Sequence, residues 1–301
     1  MILLDYSAVA IANIMFSIKR EGEILTNPFA LHMILNSIRR ANKQFSSEFG
    51  SMIICCDGGN NWRKRVFPFY KYKRKKDKKM SDVDWDLIYE CLDFAKKEIN
   101  DGFPYQVVED NEAEADDIIG ILAKHSTNTK EHTVVVSNDK DFVQRHSEFV
   151  CQWRPCEKAF VRNPDPKLFL KELILRGDSD DGVPNIKSPD NIFTLDGVKQ
   201  KSMFKKELDI WLYDDDNMFL EELDIKIAKT FKKGETINSI PSKNFVRNRQ
   251  LIDLDYTPSH IKDRIMNSFN KGTKKANKSK MVKFFMKNKL RFLQERINDF
   301  M

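Results

Sequence analysis

The sequence predicts an α/β fold, a mainly parallel central sheet flanked by helices, followed by a mostly helical C-terminal part. Three observations carry this reading. Apolar runs of strand length alternate with longer stretches of helical period, carboxylates stand at or just beyond the ends of those runs, and past Cys156 the pattern turns mainly helical. Strands separated by helices pair in parallel through right-handed crossovers. The chain therefore divides near residue 160, into an α/β core over 1–160 and a mainly helical part over 161–301.

Taken in order, Ile2 to Leu4 is apolar throughout and reads as a buried strand. Helical periodicity follows from about Ser7 to Ile18 and from Pro28 to Phe45, and Met52 to Cys56 is a second buried strand. A helix is expected near Asp84 to Ile99, a short strand at Tyr105 to Val108, a helix from about Glu112 to His125 and a strand at Thr133 to Ser137. Helices are then expected at Asp165 to Arg176 and, near the C-terminus, from about Ser279 to Asn298. No internal repeat is visible.

The bulk numbers bound the class. With 301 residues, 41% hydrophobic and 32% charged, the chain can bury a substantial core and is not disordered. No apolar run approaches the roughly 18 residues that cross a bilayer, and the first residues lack a secretory signal, so a soluble, cytoplasmic, monomeric protein without a membrane partner is expected. Five cysteines, an odd number, argue for a reducing compartment. Cys151 and Cys156 have no second cysteine or histidine pair beside them, which argues against structural zinc.

The net charge of +6 is unevenly spread. From Trp62 to Lys79 there are ten Lys or Arg against one acid, interleaved with Trp62, Phe67, Phe69, Tyr70 and Tyr72. That composition suits phosphate contacts, which weaken with salt, and stacking on unpaired bases. Lys271 to Arg296 again holds ten bases against one acid. Between them, Glu207, Asp209, Asp214, Asp215, Asp216, Glu221, Glu222 and Asp224 are expected to form a solvated negative surface.

Nine further carboxylates matter by position: Asp5, Asp57, Glu114, Asp116, Asp117, Asp139, Asp141, Asp178 and Asp181. In a parallel sheet, ligands bind outside the carboxyl ends of the strands, where Asp5, Asp57, Asp139 and Asp141 fall. Gathered there, they need protons or cations, because two like charges about 4 Å apart repel by roughly 4 kcal/mol at an effective dielectric near 20. An all-oxygen site suits Mg²⁺, with Mn²⁺ as a substitute. Each motif also has a plainer explanation. Helix dipoles favour acids in a first turn, which accounts for one or two of Glu112 to Asp117, and both Asp139-Lys140-Asp141 and Gly177 to Pro184 would make ordinary turns.

In combination these motifs resemble the flap endonuclease and 5′ nuclease superfamily, and within it the RNase H type of T4-like bacteriophages. The matching residues are Asp5 and Asp57 after strands, Glu114-Ala115-Asp116-Asp117, Ser137-Asn138-Asp139-Lys140-Asp141 and Gly177-Asp178-Ser179-Asp180-Asp181-Gly182-Val183-Pro184. The resemblance spans nearly the whole chain. It implies a nuclease core that includes an arch-like segment at 62–79, and a C-terminal part that carries a helix-hairpin DNA-binding unit. It further implies a metal site of Glu114, Asp116, Asp117, Asp139 and Asp141 with Asp5 and Asp57 in the same crevice, and a more distant one at Asp178 and Asp181, two ions in all. Asp139 and Asp116 would serve catalysis, with Lys71 neutralising phosphate charge. Arg63, Tyr70, Lys71 and Arg74 would contact nucleic acid.

The implied activity is metal-dependent 5′ to 3′ exonuclease and flap endonuclease action on flapped or nicked duplexes and RNA:DNA hybrids, removing RNA primers and adjacent DNA in phage lagging-strand replication. A phage single-stranded-DNA-binding protein is an expected partner. Two departures stand out. Lys187-Ser188-Pro189-Asp190-Asn191 replaces the family's glycine-rich turn after Ile186, and no clamp-binding peptide is expected ahead of the first strand. Among rivals, a phosphatase with an aspartate nucleophile lacks its second acid in Asp5-Tyr6-Ser7, and small ribonuclease toxins lack the basic segment. A non-catalytic, structure-specific nucleic-acid-binding protein is the alternative to an enzyme.

Overall fold

The structure, a computed structural model, describes residues 1–22, 24–195, 197–212, 222–225, 227, 240–272 and 275–301. In chain order its named elements are β1 (Ile2–Asp5), α1 (Tyr6–Glu21), α2 (Asn27–Phe49), β2 (Met52–Cys56), α3 (Trp62–Val66), α4 (Tyr72–Lys79), α5 (Trp85–Gly102), β3 (Gln106–Glu109), α6 (Ala115–Thr129) and β4 (Thr133–Val136). A 3-10 turn (Lys140–Arg145), β5 (Val150–Arg154), β6 (Ala159–Val161), α7 (Pro166–Arg176), α8 (Lys205–Leu212), α9 (Pro241–Ile252), α10 (Ser259–Phe269), α11 (Lys278–Lys287) and α12 (Arg291–Gln294) follow.

Two compact units emerge, each discontinuous in sequence. One comprises Met1–Asn61, Asp84–Asn163 and Thr257–Met301, the other Trp62–Val83 and Pro164–Tyr256. The boundary read near residue 160 falls beside the crossing at 163/164. The basic segment, read with the α/β core, groups with the second unit, and the last residues, read with the helical part, group with the first.

The first unit is built on a six-stranded sheet in the order β3-β2-β1-β4-β5-β6. β1 pairs in parallel with β2 and β4, β2 with β3, and β4 with β5, while β6 runs antiparallel at the edge. The chain builds outward from β1 through β2 to β3, then crosses back to place β4 on the other flank of β1. That reversal is a topological switch point, where α/β sheets leave a crevice beyond the strand ends. β1, β2 and β4 are buried along their whole length, as strands covered on both faces must be, which explains their unbroken apolar runs.

β5 and β6 are strands the apolar pattern did not reveal. Val150-Cys151-Gln152-Trp153-Arg154 mixes polar and apolar side chains without a clean run. Cys151 is buried on β5 with its thiol toward the Thr133 carbonyl, 3.7 Å away, while Cys156 is exposed in the following turn. The single helix expected over Ser279 to Asn298 is broken instead. Lys289 adopts a left-handed conformation (φ 56°), and the Leu290 amide reaches back to the Phe285 carbonyl at 2.9 Å, the bond that terminates α11.

The second unit packs α7, α8 and α9 with the basic segment around Phe67, Tyr70, Leu175, Val183, Trp211 and Phe245. Its 184–190 loop is pinned by side-chain amides where relatives were expected to use glycine. Asn244 Nδ2 donates to the carbonyls of Ile186 and Ser188, and Asn248 Nδ2 to those of Ile174 and Pro184. Lys187 is buried there against Glu207 at 3.2 Å. Asp224 accepts from the amide and hydroxyl of Ser242. Glu207 and Asp224 are thus structural partners, not members of a solvated face; Asp214, Asp215, Asp216 and Glu221 lie outside the described residues. Among the described residues no helix is long and apolar enough to cross a membrane.

Candidate active site

The crevice at the strand ends is assembled by short contacts. Asp5 closes β1 and opens α1, accepting from the Ala8 amide at 3.3 Å. Its other oxygen accepts the Ser137 hydroxyl at 2.7 Å. Ser137 follows β4, and its oxygen in turn accepts the Asp139 amide at 3.1 Å. Asp139 Oδ1 accepts the Asp141 amide at 2.8 Å, opening the 3-10 turn. Ser137 therefore joins the ends of two neighbouring strands, and sequence reasoning had not singled it out.

On the other side of Asp5, Asp57 follows β2 and accepts the Ala115 amide at 2.9 Å. This bond draws the opening turn of α6 to the end of β2. Backbone bonds reinforce the junction: Gly58 N to Ala113 O at 2.8 Å and Asn60 N to Asn111 O at 2.7 Å. The approach is so close that a Cβ on Gly58 would lie 2.0 Å from the Asp110 carbonyl oxygen, so only glycine fits. Glu114 is the N-cap of α6, Asp116 stands half-buried in its first turn, and Asp117 is fully buried.

Asp117 is spoken for by the fold. It accepts the Glu114 amide at 3.0 Å and the Thr257 hydroxyl at 2.7 Å. Just upstream, Arg264 of α10 forks onto Asp110 at 2.6 and 2.8 Å and reaches Glu112 at 2.7 Å. Arg264 holds the Asp110 carboxyl below its ordinary value. These cations and hydroxyls fix the turn that presents Glu114 and Asp116.

Burial, followed by repulsion from Asp57 and to a smaller degree Asp139, pushes the Asp5 carboxyl up to about 7, against the opposing bonds from Ser137 and Ala8. Asp57 and Asp139, just beyond β2 and β4, thus both act on Asp5 at the end of β1. Among the described residues no three His, Cys, Asp or Glu side chains already converge to the spacing of metal ligands. The structure brings Asp5, Asp57, Glu114, Asp116, Asp117, Asp139 and Asp141 to one edge of the first unit.

Asp178 and Asp181 belong to the second unit, in the turn after α7. Asp178 Oδ1 accepts the Asp180 amide at 2.8 Å and the Asp181 amide at 3.4 Å. Asp181 receives the Tyr70 hydroxyl at 2.7 Å, Arg74 Nη2 at 2.8 Å and Lys71 Nζ at 3.7 Å. The Lys71 amide donates to the Asp181 carbonyl and Arg74 Nε to that of Asp180. Gly182 (φ 72°) lets the turn press on the basic segment, since a Cβ there would meet the Phe69 carbonyl oxygen at 2.9 Å.

Three residues singled out in the sequence stand in surroundings that composition did not announce. Arg63 is 2% exposed, with Nε on the Leu251 carbonyl at 2.8 Å and its guanidinium over the Trp62 ring, so it supports the unit from inside. Tyr70 is 4% exposed, its ring in the core and under Lys71, which leaves no face for stacking on a base. Asp181 faces the basic segment: one oxygen accepts the Tyr70 hydroxyl and lies 3.7 Å from Lys71 Nζ, and the other lies 2.8 Å from Arg74 Nη2. Composition located this segment but could not tell its inward residues from its outward ones.

Comparison with known proteins agrees with this architecture. Residues 6–171 match the family described as 5′-3′ exonuclease, N-terminal resolvase-like domain, and residues 165–300 match T4 RNase H, C terminal. Ribonuclease H of Enterobacteria phage T4 is 28% identical over 307 residues, covering 99% of this chain and 95% of the phage protein. Flap endonuclease Xni of Shewanella sp. (strain ANA-3) is 30% identical over 142 residues, 44% of this chain and 51% of that protein. In fold, the chain resembles the bacteriophage T5 flap endonuclease solved as a pseudo-enzyme-product complex with DNA and metal ions, with a TM-score of 0.63 at 15% identity, covering 89% of this chain and 97% of that one. A second T5 structure, co-crystallised with metal ions, gives a TM-score of 0.59 at 17% identity over 90% and 97% of the two chains. The sheet order, the acids at its switch point and these matches together establish that the chain belongs to the 5′-3′ exonuclease family of phosphodiester-hydrolysing nucleases, with a C-terminal part of the T4 RNase H type.

Proposed function

We propose that this nuclease is a divalent-metal-dependent 5′ to 3′ exonuclease and flap endonuclease that removes RNA primers and adjacent DNA during phage lagging-strand replication in the host cytoplasm. Its substrates are flapped or nicked duplexes and RNA:DNA hybrids. The observation that carries the reading is the gathering of Asp5, Asp57 and Asp139 at the switch point of the sheet, where the Ser137 hydroxyl joins the Asp5 carboxylate to the Asp139 amide and Asp57 follows the neighbouring strand β2. The carboxylates of Asp5, Asp57 and Asp139 offer oxygen ligands only, and an all-oxygen set fits a hard cation, Mg²⁺ first and Mn²⁺ as substitute. The names of relatives, an RNase H and flap endonucleases, and T5 structures carrying metal ions support the same chemistry.

Asp5, Asp57 and Asp139 are proposed to hold the cation, with Glu114, Asp116 and Asp141 at the rim. Those carboxylates would hold a divalent ion whose chemistry is activation of a water and neutralisation of charge on the phosphoryl oxygens. Asp117 acts through the turn it fastens. Ser137 keeps the Asp5 and Asp139 ends in register. Lys71 is proposed to neutralise phosphate charge once a phosphate replaces Asp181 as its partner, and Arg74 is proposed to follow it onto the strand. No step is routed through a second ion at Asp178 and Asp181, where Tyr70, Lys71 and Arg74 stand against Asp181 in this structure. Selectivity comes from the shape of strand ends, since backbone contacts carry no sequence information.

The test is cleavage of matched 5′-labelled flap, nick and RNA:DNA substrates with Mg²⁺ and with EDTA. Release of 5′ products in Mg²⁺ alone is expected. Binding without cleavage at any Mg²⁺ concentration would favour a structure-specific binding protein.

A further inference from the structure

The loop that carries Asp139 leaves β4 after Ser137, whose amide donates to the Trp153 carbonyl at 3.2 Å. Its two inward carbonyls, of Ser137 and Asp139, are both held by one side chain, Gln152, whose Nε2 donates to them at 2.9 and 2.6 Å. Gln152 is fully buried on β5, opposite Val135 of β4 in the strand register. An amide can flip, and a flipped Gln152 would aim its oxygen at two carbonyl oxygens. Something has to prevent that.

His146 does so. Its Nδ1 accepts the backbone amide of Asn163 at 3.2 Å, so the proton of the neutral ring sits on Nε2. Nε2 lies 3.2 Å from Gln152 Oε1 and donates to it, which turns the Gln152 NH₂ toward the Asp139 loop. The ring is largely buried. Burial, together with Arg154 and Arg162 and against the bond to Gln152, keeps it below the usual histidine value and therefore neutral. The result is a directed chain of buried bonds from Asn163 through His146 and Gln152 to the backbone of Ser137 and Asp139. An apolar side chain at Gln152 would fill a sheet interior more cheaply than an amide that requires every partner in place.

We propose that Gln152, oriented by His146, is a positioning residue of this nuclease: it fixes the Asp139 loop so that the carboxylates at the ends of β1 and β4 keep one geometry. The inference deepens the proposed metal-dependent site and rests on it for its kinetic readout only. Neither side chain touches substrate. They act through the loop.

Three variants test it. Gln152→Leu keeps volume and removes both donors. Its kcat on a 5′ flap is expected to fall roughly 10- to 100-fold, the range seen when groups orienting metal ligands are lost, with KM for the flap within about twofold of wild type. His146→Phe leaves the amide free to turn and should give an intermediate loss, and His146→Gln, which restores both a donor and an acceptor, should recover most of the activity. A readout independent of activity is amide hydrogen exchange over 137–141 in EDTA, expected to speed up in Gln152→Leu and His146→Phe but not in His146→Gln. Unchanged exchange and unchanged kcat in His146→Phe would overturn the proposal even if Gln152→Leu failed to fold. An inactive wild type would instead count against the nuclease reading, while the exchange data would still decide this one.

Discussion

Two acidic groupings that look alike in sequence are treated in opposite ways by the fold. At the ends of β1, β2 and β4, burial and then Asp57 and Asp139 push Asp5 toward its protonated form. In the turn after α7, Asp181 is matched by Tyr70, Lys71 and Arg74, and Asp178 is absorbed into the backbone bonds of its own turn. In the first grouping Asp57 and Asp139 bear on Asp5, and it is there that the proposed cation would bind; in the second, Asp181 faces cationic side chains of its own unit. Acids that look alike in sequence can thus face other carboxylates in one unit and the bases of a basic segment in the other.

The largest expected effect sharpens that contrast. Asp139→Asn should reduce flap cleavage by at least about a thousandfold while DNA affinity, read by fluorescence anisotropy, stays within about twofold, because the lost group serves the reacting phosphate and not the duplex. Normal turnover would remove Asp139 from the chemistry.

Next comes pH. The Asp5 carboxyl titrates near 7 when folded against an ordinary 3.8, so the folded protein keeps a proton that the unfolded chain releases between those values. Stability in EDTA should therefore be greatest near pH 4 as far as this group is concerned, and fall as pH rises toward 7, on the order of 2–4 kcal/mol. Thermal melts at pH 5 and 7.5 would record it, with Mg²⁺ recovering most of the loss at the higher pH. A metal-free Tm that rises over this window and ignores Mg²⁺ would say that Asp5 is compensated like Asp181.

A smaller effect probes the other grouping. Asp181→Asn should cost about 1–3 kcal/mol and open the 62–79 segment to trypsin, since it strands Lys71 and Arg74. If it left proteolysis unchanged but lowered Mn²⁺ uptake, the turn would be a metal site after all. The smallest concerns the basic segment. Arg63→Met should leave the salt dependence of DNA binding unaltered, whereas Lys73→Met should lower the slope of log K against log salt by about 0.9 if that lysine meets a phosphate.

The legible part of this molecule was the part set by short-range pattern. Asp5, Asp57 and Asp139 could be gathered on paper because each follows an apolar run and parallel strands end on one side. Ser137 and Gln152 could not, because their roles depend on the β4–β5 register, and β5 has no apolar run to announce it. The burial of Arg63 and Tyr70 was illegible for a related reason: a segment rich in bases and aromatics does not declare which side chains face the core. The broken C-terminal helix turns on the single left-handed residue Lys289, a lysine that no capping rule flags.

The most direct test of the account is Mn²⁺ titration followed by electron paramagnetic resonance, comparing wild type with the Asp5→Asn, Asp57→Asn, Asp139→Asn triple variant at matched fold by circular dichroism. The account predicts saturable Mn²⁺ binding in the wild type that the triple variant loses. Saturable binding of the same affinity and stoichiometry in both proteins would contradict it.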